Sequence, residues 1–403
     1  MAAPFSPTPN LADPATFVDG PPHAFFARLR REEPVWWHER CDAPGFYVVT
    51  RYDDVVDVLG DQTGFVNRHG VTIEPGEPAG LPLGEPERGQ SALSYTDPPH
   101  HRLVRKVLAP HFTPARVRRL EPLVRTHAER LVGDFVAAGG GDFVSDVARP
   151  YPLRVLSAVL GLTPAADAAL VRFVDQTAGA SPEVRAAETS AFITAAGELA
   201  DERRANPGDD LISAMVSGDD TTSLAASRLG GILVQLALAG QETTRAASAT
   251  GVRLFADLPE VRCLLLDDPA LVGGAVEELL RYRSPVHYTR RTVPLDAEAQ
   301  PTVAGRPIEP GSIVYLSLAS ANRDEGVFAD GDRFDPTRSF DRPHLGLGLG
   351  AHYCLGASLA RLELRVLFET VLDAMPSYEL AGEPVATRSA LFDALGSLPV
   401  RAA

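Results

Sequence analysis

Cys354 is the residue with the clearest chemical potential, because of the glycines that precede it. Gly346, Gly348 and Gly350 stand at alternate positions before it, and glycine allows close approaches that a Cβ atom forbids. Beyond the cysteine, apolar residues recur at steps of three and four, which predicts a helix. These apolar residues are Leu355, Leu359, Leu362 and Val366. The mouth of a helix stabilises an anion, so we expect a lowered thiol pKa and a thiolate that binds metal.

Other interpretations of this stretch remain open from the residues alone. A lone cysteine is commonly a small buried hydrophobic residue. Gly346, Gly348 and Ala351 also fit a loose dinucleotide fingerprint, but that site needs a preceding strand and a βαβ unit. Pro343 and His344 precede the glycines instead. A single cysteine with no second one nearby favours one metal–sulfur bond to a large, flat group.

Small and polar residues around the cysteine follow a specific spacing. They are Gly348, Gly350, His352, Cys354 and Gly356. The spacing resembles the haem-binding signature of the cytochrome P450 superfamily, in which a cysteine thiolate holds the haem iron. The resemblance implies haem b (iron protoporphyrin IX) as cofactor, Cys354 as axial ligand, and Gly348 and Gly356 beside the haem. Leu347 stands where the family usually has Phe, so we expect different packing there.

A second motif lies in a long helix predicted over 223–257. Gly240 in a helix interior costs about 1 kcal/mol relative to alanine, and two threonines follow it, which predicts a local distortion. The run from Ala239 to Thr244 resembles the family's oxygen-activation motif. The resemblance implies that Gly240 leaves room for O2, that the Thr243 hydroxyl holds a water or the distal oxygen, and that Glu242 supplies protons as a general acid.

Basic residues form the third motif. His101 and Arg105 lie four apart after Asp97-Pro98-Pro99, so both project from one helix face. From the residues alone, a solvated basic surface is the favoured interpretation of this face. The resemblance implies instead that both bind haem propionates, together with His352 and, by strand register, Arg291.

The segment 101–130 is basic in an acidic chain. It contains eight Arg and Lys and two Glu residues, a charge of +6, whereas the whole chain has −15. The overall charge argues against nucleic acid as a partner. A local basic patch suits an acidic partner, and the resemblance implies a ferredoxin-type electron donor docked on this face.

Glu278 and Arg281 are three apart in a predicted helix and can pair. The resemblance implies a buried structural ion pair, with either Arg333 or Arg338 as its third member. These residues are expected to support the haem fold without reacting.

The chain has 403 residues, of which 45% are hydrophobic, which suffices for a large core. The resemblance implies a mainly α fold with a small β region, one domain over 1–403 with an irregular lead-in at 1–22, and haem between the long helix and the cysteine-loop helix. The patterns predict a loop at 66–93. Predicted helices cover 23–33, 52–59, 115–137, 152–160, 164–178, 183–203, 223–257 and 277–282. Predicted strands cover 35–38, 45–50, 290–293 and 302–316, with a final hairpin at 391–400.

The cysteines, the N-terminus and the most apolar run bear on the cellular location of the protein. Cys41, Cys263 and Cys354 cannot all pair, and none has metal-site spacing. The N-terminus lacks signal-peptide features, and the most apolar run, 231–240, is half a membrane span. We expect a cytoplasmic protein without a membrane partner.

The implied activity is monooxygenation of an apolar small molecule by hydroxylation or epoxidation, with a natural product, steroid or fatty acid as substrate. The residues expected to line the pocket are Leu236, Ala239, Val286, His287 and Phe392. Two alternatives remain: a haem-thiolate enzyme that uses peroxide or acts as an isomerase or dehydratase, and a non-catalytic haem sensor.

Overall fold

The structure is a computed structural model that describes residues 8–41, 43–73, 92–177, 181–216 and 226–402. The fold is mainly α with a small β region, which confirms the predicted class. Its α-helices, in chain order, are α1 (His23–Glu32), α2 (Tyr52–Gly60), α3 (His100–Leu108), α4 (Pro114–Arg118), α5 (Glu121–Ala137), α6 (Pro150–Leu160), α7 (Pro164–Thr177), α8 (Pro182–Ala205), α9 (Leu211–Val216), α10 (Ala226–Asp257), α11 (Pro259–Asp267), α12 (Val272–Tyr282), α13 (Leu318–Ala321) and α14 (Ala357–Ala374).

Prolines decide where several of these helices begin. Proline is the first residue of α4, α6, α7, α8 and α11, a position where its missing N–H costs nothing. The single helix predicted over 115–137 is wrong for the same reason. Pro122 lies in the first turn of α5, so the chain divides into α4 and α5 around Leu120. The short helices α9 and α11 were not predicted.

Eleven short strands are present in the described residues. They are β1 (Val35–His38), β2 (Phe46–Val49), β3 (Gly140–Asp142), β4 (Tyr288–Thr292), β5 (Thr302–Val303), β6 (Arg306–Pro307), β7 (Ile313–Ser317), β8 (Tyr378–Leu380), β9 (Val385–Ala386), β10 (Leu395–Ser397) and β11 (Pro399–Ala402). The largest sheet has the order β1-β2-β7-β4. Its β1–β2 pair is the predicted antiparallel hairpin, and β7 runs antiparallel to β4.

The hairpin predicted over 391–400 is wrong. The strand β10 pairs with β9, whereas β11 pairs with β3 and β8. Most of the loop predicted over 66–93 lies outside the described residues. Its described ends contain a short 3-10 turn that begins at Leu93 and an isolated bridge between Val66 and Thr292.

The long helix α10 lies at the centre of the main hydrophobic cluster and packs against α6, α8 and α14. A Cβ atom at Gly251 would lie 2.3 Å from the ring of Phe368, so only glycine permits this close approach of α10 and α14. Within the described part of the chain, no helix is both long and apolar enough to cross a membrane.

A buried ion pair secures α12. Arg281 donates from Nε and Nη2 to the two carboxylate oxygens of Glu278, each at 2.7 Å, and both side chains are fully buried. Arg338 donates from Nε to the same carboxylate at 3.1 Å. Arg333 offers only its backbone carbonyl, which accepts from Arg281. Of the two arginines left open by the sequence, Arg338 therefore completes the side-chain network. Removing one partner of such a pair typically costs about 3–5 kcal/mol.

A second buried carboxyl, Glu363 of α14, differs because it forms no ion pair with a described residue. Burial raises the pKa of Glu363 to about 8, opposed only by a hydrogen bond with Thr244 of α10. The Tyr151 hydroxyl donates to the backbone carbonyl of Glu363 at 3.0 Å. The carboxyl is therefore mostly protonated near neutral pH.

We expect the stability of the protein to depend on pH through Glu363. The pKa in the folded protein, about 8, lies above the unperturbed value of 4.5. The folded state therefore keeps a proton that the unfolded state releases, and this stabilising contribution is complete below the unfolded pKa and lost as the pH rises through the folded one. The urea midpoint of the wild type should fall between about pH 5 and about pH 8, and Glu363→Gln, which cannot ionise, should flatten that fall.

Glu369→Gln provides the matched control, because Glu369 lies on the same helix with its side chain 26% exposed. The control should keep the wild-type slope of the urea midpoint against pH. Equal slopes for the wild type and Glu363→Gln would contradict a protonated buried carboxyl.

Candidate active site

The loop before Cys354 takes its shape from backbone hydrogen bonds and from glycine. The Cys354 N–H donates to the carbonyl of Leu347 at 2.8 Å. Gly348 and Gly350 have φ angles of 70° and 71°, in the left-handed region that disfavours side chains. Residues 322–349, which are all described, contain no strand. The dinucleotide interpretation is therefore excluded.

The same loop packs closely on α12. A Cβ atom at Gly346 would lie 2.2 Å from the carbonyl oxygen of Leu280. Leu347, which stands where the sequence pattern suggested Phe, is buried in the main hydrophobic cluster. A leucine therefore fills this site without exposing apolar surface.

The surroundings of the Cys354 thiol correct one expectation. Burial raises the pKa of Cys354, while the backbone N–H of Gly356 and the guanidinium groups of Arg105 and Arg361 oppose that rise. The helix α14 begins only at Ala357. The predicted lowering of the thiol pKa by the helix end is therefore wrong, because desolvation has the larger effect. A bound metal ion would supply the positive charge that deprotonates a coordinating thiol.

Four basic side chains from three segments meet beside this thiol. His101 and Arg105 come from α3, Arg291 from β4 and His352 from the turn before the cysteine. The rings of His101 and His352 lie 4.1 Å apart between centroids. Burial, with the nearby His101, Arg291 and Arg105, lowers the pKa of His352 to about 3. Burial lowers the pKa of Arg291 to about 10.

None of these basic groups forms an ion pair with a described residue, and the Asp97 carboxylate acts on Arg291 and His101 only from beyond ion-pair distance. Arg105 and Arg291 form no ion pair there, and Arg291 donates only to its neighbours Thr289 and Arg290. Both ring nitrogens of His101 and Nε2 of His352 are buried without a hydrogen-bond partner. Buried donors of this kind need acceptors. Two carboxylates carried by a group that a thiolate also holds would satisfy them, so the residue set fits haem and its propionates.

Strand register separates the two neighbouring arginines. Arg290 donates from Nη1 to the carbonyl of Thr72 at 3.1 Å, whereas Arg291 faces the histidine cluster. Successive residues of a strand point to opposite faces of the sheet, so only Arg291 joins the basic group.

The oxygen-activation motif lies on α10, which continues as a regular α-helix through Gly240. The predicted distortion therefore does not break the helix. Thr243 donates from Oγ1 to the carbonyl of Ala239 at 2.7 Å. Ala239 is exposed although its neighbours Ala237 and Gln241 are buried. The helix therefore presents small and hydroxyl side chains to an open space at this turn.

Glu242 has a partner that the sequence reasoning missed. Arg245 donates from Nη2 to the Glu242 carboxylate at 2.6 Å and from Nη1 to the carbonyl of Leu395 at 2.8 Å. A charged pair three residues apart on a helix is a recognisable signal. The pair fixes the orientation of the Glu242 carboxylate.

The residues expected to line the pocket do not all lie together. Val286 and Phe392 form an isolated antiparallel bridge, and both are partly buried. Leu236 is partly buried against the main hydrophobic cluster. The expectation that His287 lines the pocket is corrected by its contacts. Its ring stacks on Phe17 at 4.9 Å, and its Nδ1 lies 3.2 Å from the Ala390 carbonyl oxygen. Adjacent residues of an extended chain point to opposite sides, so His287 and Val286 do not share the pocket.

The basic face of 101–130 is smaller than the sequence suggests. Arg105 turns toward the thiol, Arg116 pairs with Asp209, and Arg125 pairs with Glu369. The remaining bases of this segment are exposed and form no ion pair with a described residue. They are Arg102, Lys106, Arg118, Arg119 and Arg130.

Comparison with known proteins agrees with this site. The family model of cytochrome P450 matches residues 269–375. Linalool 8-monooxygenase of Pseudomonas putida is 34% identical over 405 residues, 97% of this chain and 98% of the relative. Methyl-branched lipid omega-hydroxylase of Mycobacterium tuberculosis is 34% identical over 397 residues, 93% of this chain and 90% of the relative. A Mycobacterium marinum cytochrome P450 solved with pseudoionone has a TM-score of 0.86 at 34% identity and covers 100% of both chains.

The names of these relatives describe oxygen-inserting enzymes, which does not favour the alternatives of another haem-thiolate reaction or a haem sensor. The similarity extends over nearly the whole chain, and the thiol and the buried donors fit a haem. The chain therefore belongs to the cytochrome P450 superfamily and is a haem-thiolate monooxygenase.

Proposed function

We propose that this enzyme inserts one atom of O2 into a C–H bond or an alkene of an apolar small molecule, and that the other atom leaves as water. The observation that carries this proposal is the Cys354 thiol beside four basic side chains, two of them buried, that form no ion pair with a described residue. The haem iron, when bound, supplies the reductive activation of O2.

The cofactor in this proposal is haem b. Cys354 would hold its iron through the thiolate, and His101, Arg105, Arg291 and His352 would bind its propionates. A Cβ atom at Gly356 would meet nothing within 4 Å, and one at Gly348 would meet only the His352 carbonyl oxygen at 3.6 Å. This free space supports a close approach of the cofactor to both glycines.

The side chains of α10 handle protons in this proposal. Gly240 leaves room for O2, because the nearest side-chain atom to a Cβ there would be 3.9 Å away, on Leu156. The Thr243 hydroxyl, which donates to the Ala239 carbonyl, can turn to hold a water molecule or the oxygen. Glu242, partly exposed and held by Arg245, exchanges protons with solvent.

We infer an apolar substrate of the terpenoid, fatty-acid or steroid kind. Relatives at this identity include enzymes named for linalool and for methyl-branched lipids, and the similar solved structure contains pseudoionone. The candidate pocket residues Leu236, Ala239, Val286 and Phe392 are all apolar, which suits such a molecule.

We infer that a ferredoxin-type donor supplies the electrons and docks on the exposed bases of 101–130. These bases have no ion pair with a described residue, and an acidic partner would complement them. All three cysteines are free, which is consistent with a reducing compartment such as the cytoplasm.

The absorption spectrum of the reduced protein with carbon monoxide tests the ligand. A thiolate opposite CO should give a strongly red-shifted Soret band, and Cys354→Ser should lose it. An ordinary haem–CO band in the wild type, or no haem in a folded, haem-supplied preparation, would contradict the proposal.

The role of Thr243 can be tested through the coupling of O2 consumption to product. Positioned proton transfer contributes roughly 10²- to 10⁴-fold to a rate, so Thr243→Ala should lower product formed per O2 consumed by about tenfold. Thr243→Ser, which keeps the hydroxyl, should retain most of the coupling. Unchanged coupling in Thr243→Ala would show that this hydroxyl plays no part.

Charge reversal tests the docking face. Electrostatic steering changes association rates by about 10- to 10³-fold, so Lys106→Glu should slow reduction by a [2Fe–2S] ferredoxin about tenfold at low salt. The difference should shrink at high salt, where charges are screened. Arg31→Glu, a change at an exposed arginine of α1, is the control. Equal reduction rates for the two variants would place the donor elsewhere.

A further inference from the structure

A network of polar side chains outside the haem-binding group connects α12 to residues 344–354, which we call the cysteine loop. Its centre is Glu277, which directly precedes the buried Glu278. Arg361 of α14 donates from Nε and Nη2 to the two Glu277 carboxylate oxygens at 2.6 and 2.9 Å. Arg361 also donates from Nη1 to the Tyr353 hydroxyl at 2.9 Å. Glu277 therefore reaches the residue next to Cys354 through one guanidinium group.

The same carboxylate holds the start of the loop. His344 Nε2 lies 3.2 Å from Glu277 Oε2, and His344 Nδ1 accepts the backbone N–H of Gly346 at 3.2 Å. A nitrogen that accepts a hydrogen bond carries no proton, so the proton of His344 is on Nε2 and points to Glu277. One carboxylate thus binds both ends of the loop that presents Cys354.

The charges of Arg361 and Glu277 also affect the surroundings of the Cys354 thiol. The Arg361 guanidinium is among the groups whose positive charge acts on the Cys354 thiol. In the folded protein Glu277 balances that charge, because the two side chains form a bidentate ion pair. A change at either partner therefore changes the field at the sulfur as well as the hold on the loop.

We propose that Glu277 and Arg361 are positioning residues that fix the Cys354 loop on α12 and set the electrostatic field at the thiolate. This proposal rests on the proposed function, since it concerns the same ligand. His344 and Tyr353 extend the contacts of this pair to the two ends of the loop.

The two parts of this role predict different changes in the holoenzyme. Glu277→Gln removes a negative charge, so the iron reduction potential should rise, since added positive charge favours the reduced state. Arg361→Gln removes a positive charge, so the potential should fall. Both variants should convert faster than the wild type from the red-shifted CO band to the ordinary haem–CO band in mild urea. Arg361→Lys keeps the positive charge but loses the bidentate hydrogen bonds of the guanidinium group. The reduction potential should therefore stay near that of the wild type, while the conversion of the CO band should become faster.

Controls come from the next turn of the same helix. Arg365 and Glu369 form a comparable pair at 2.8 Å, but Arg365, unlike Arg361, is not among the groups that act on the Cys354 thiol. Arg365→Gln and Glu369→Gln should leave the potential and the conversion rate near wild type. Opposite potential shifts in Glu277→Gln and Arg361→Gln, absent from the controls, are a result that loss of stability alone does not produce.

Two failures are distinguishable. If the wild type shows the red-shifted CO band, and Glu277→Gln and Arg361→Gln match the controls in both measurements, the proposed network is wrong and the proposed function stands. If the wild type lacks the red-shifted band, the proposed function fails and this proposal fails with it.

Discussion

Basic groups without ion-pair partners are the constraint on which this active site depends. Arg105, Arg291, His101 and His352 converge on one place, and none of them forms an ion pair with a described residue. The Asp97 carboxylate acts on Arg291 and His101 only from beyond ion-pair distance. Removing a cation from water costs several kcal/mol unless an anion compensates it. A haem with two propionates would provide that compensation, and Cys354 would hold its iron. Because a ligand that binds only the folded state stabilises it, the energy of haem binding becomes part of the folding energy of this region.

The helix α12 contacts different parts of the chain through two adjacent carboxylates. On α12, Glu277 and Glu278 are neighbours in sequence, yet successive helical residues are rotated by about 100°. Glu278 therefore meets Arg281 and Arg338, whereas Glu277 meets His344 before the cysteine and Arg361 after it. Two adjacent carboxylates thus fasten different segments to one helix. These long-range ion pairs, together with the loop itself, lie between α12 and the sulfur.

Local spacing predicted much of this arrangement, and the remainder depends on distant contacts. The cysteine, the threonine motif and the buried ion pair of α12 are each visible within a few residues. The sequence could not distinguish Arg338 from Arg333, because both lie in an irregular segment whose path no local pattern predicts. In the structure Arg338 contributes its side chain to Glu278, whereas Arg333 contributes a backbone carbonyl to Arg281. The strand β10 pairs with the nearby β9, whereas β11 pairs with β3, which is far away in sequence and which no local pattern encodes. For Cys354, reasoning from the helix end alone left out desolvation, which is the larger effect on its pKa.

The run of polar residues on α10 shows why sequence neighbours there need not share a function. Thr243 lies on the side of Ala239, where the helix borders open space. Thr244, one position later, is buried and bonds Glu363 of α14. Glu242 lies on a third side, held by an arginine at the helix surface. A substitution at Thr244 therefore acts on the packing of two helices, whereas one at Thr243 acts on the open space beside Ala239. Within this motif the direction of a side chain determines its surroundings, because three consecutive residues face an arginine, an open space and the core.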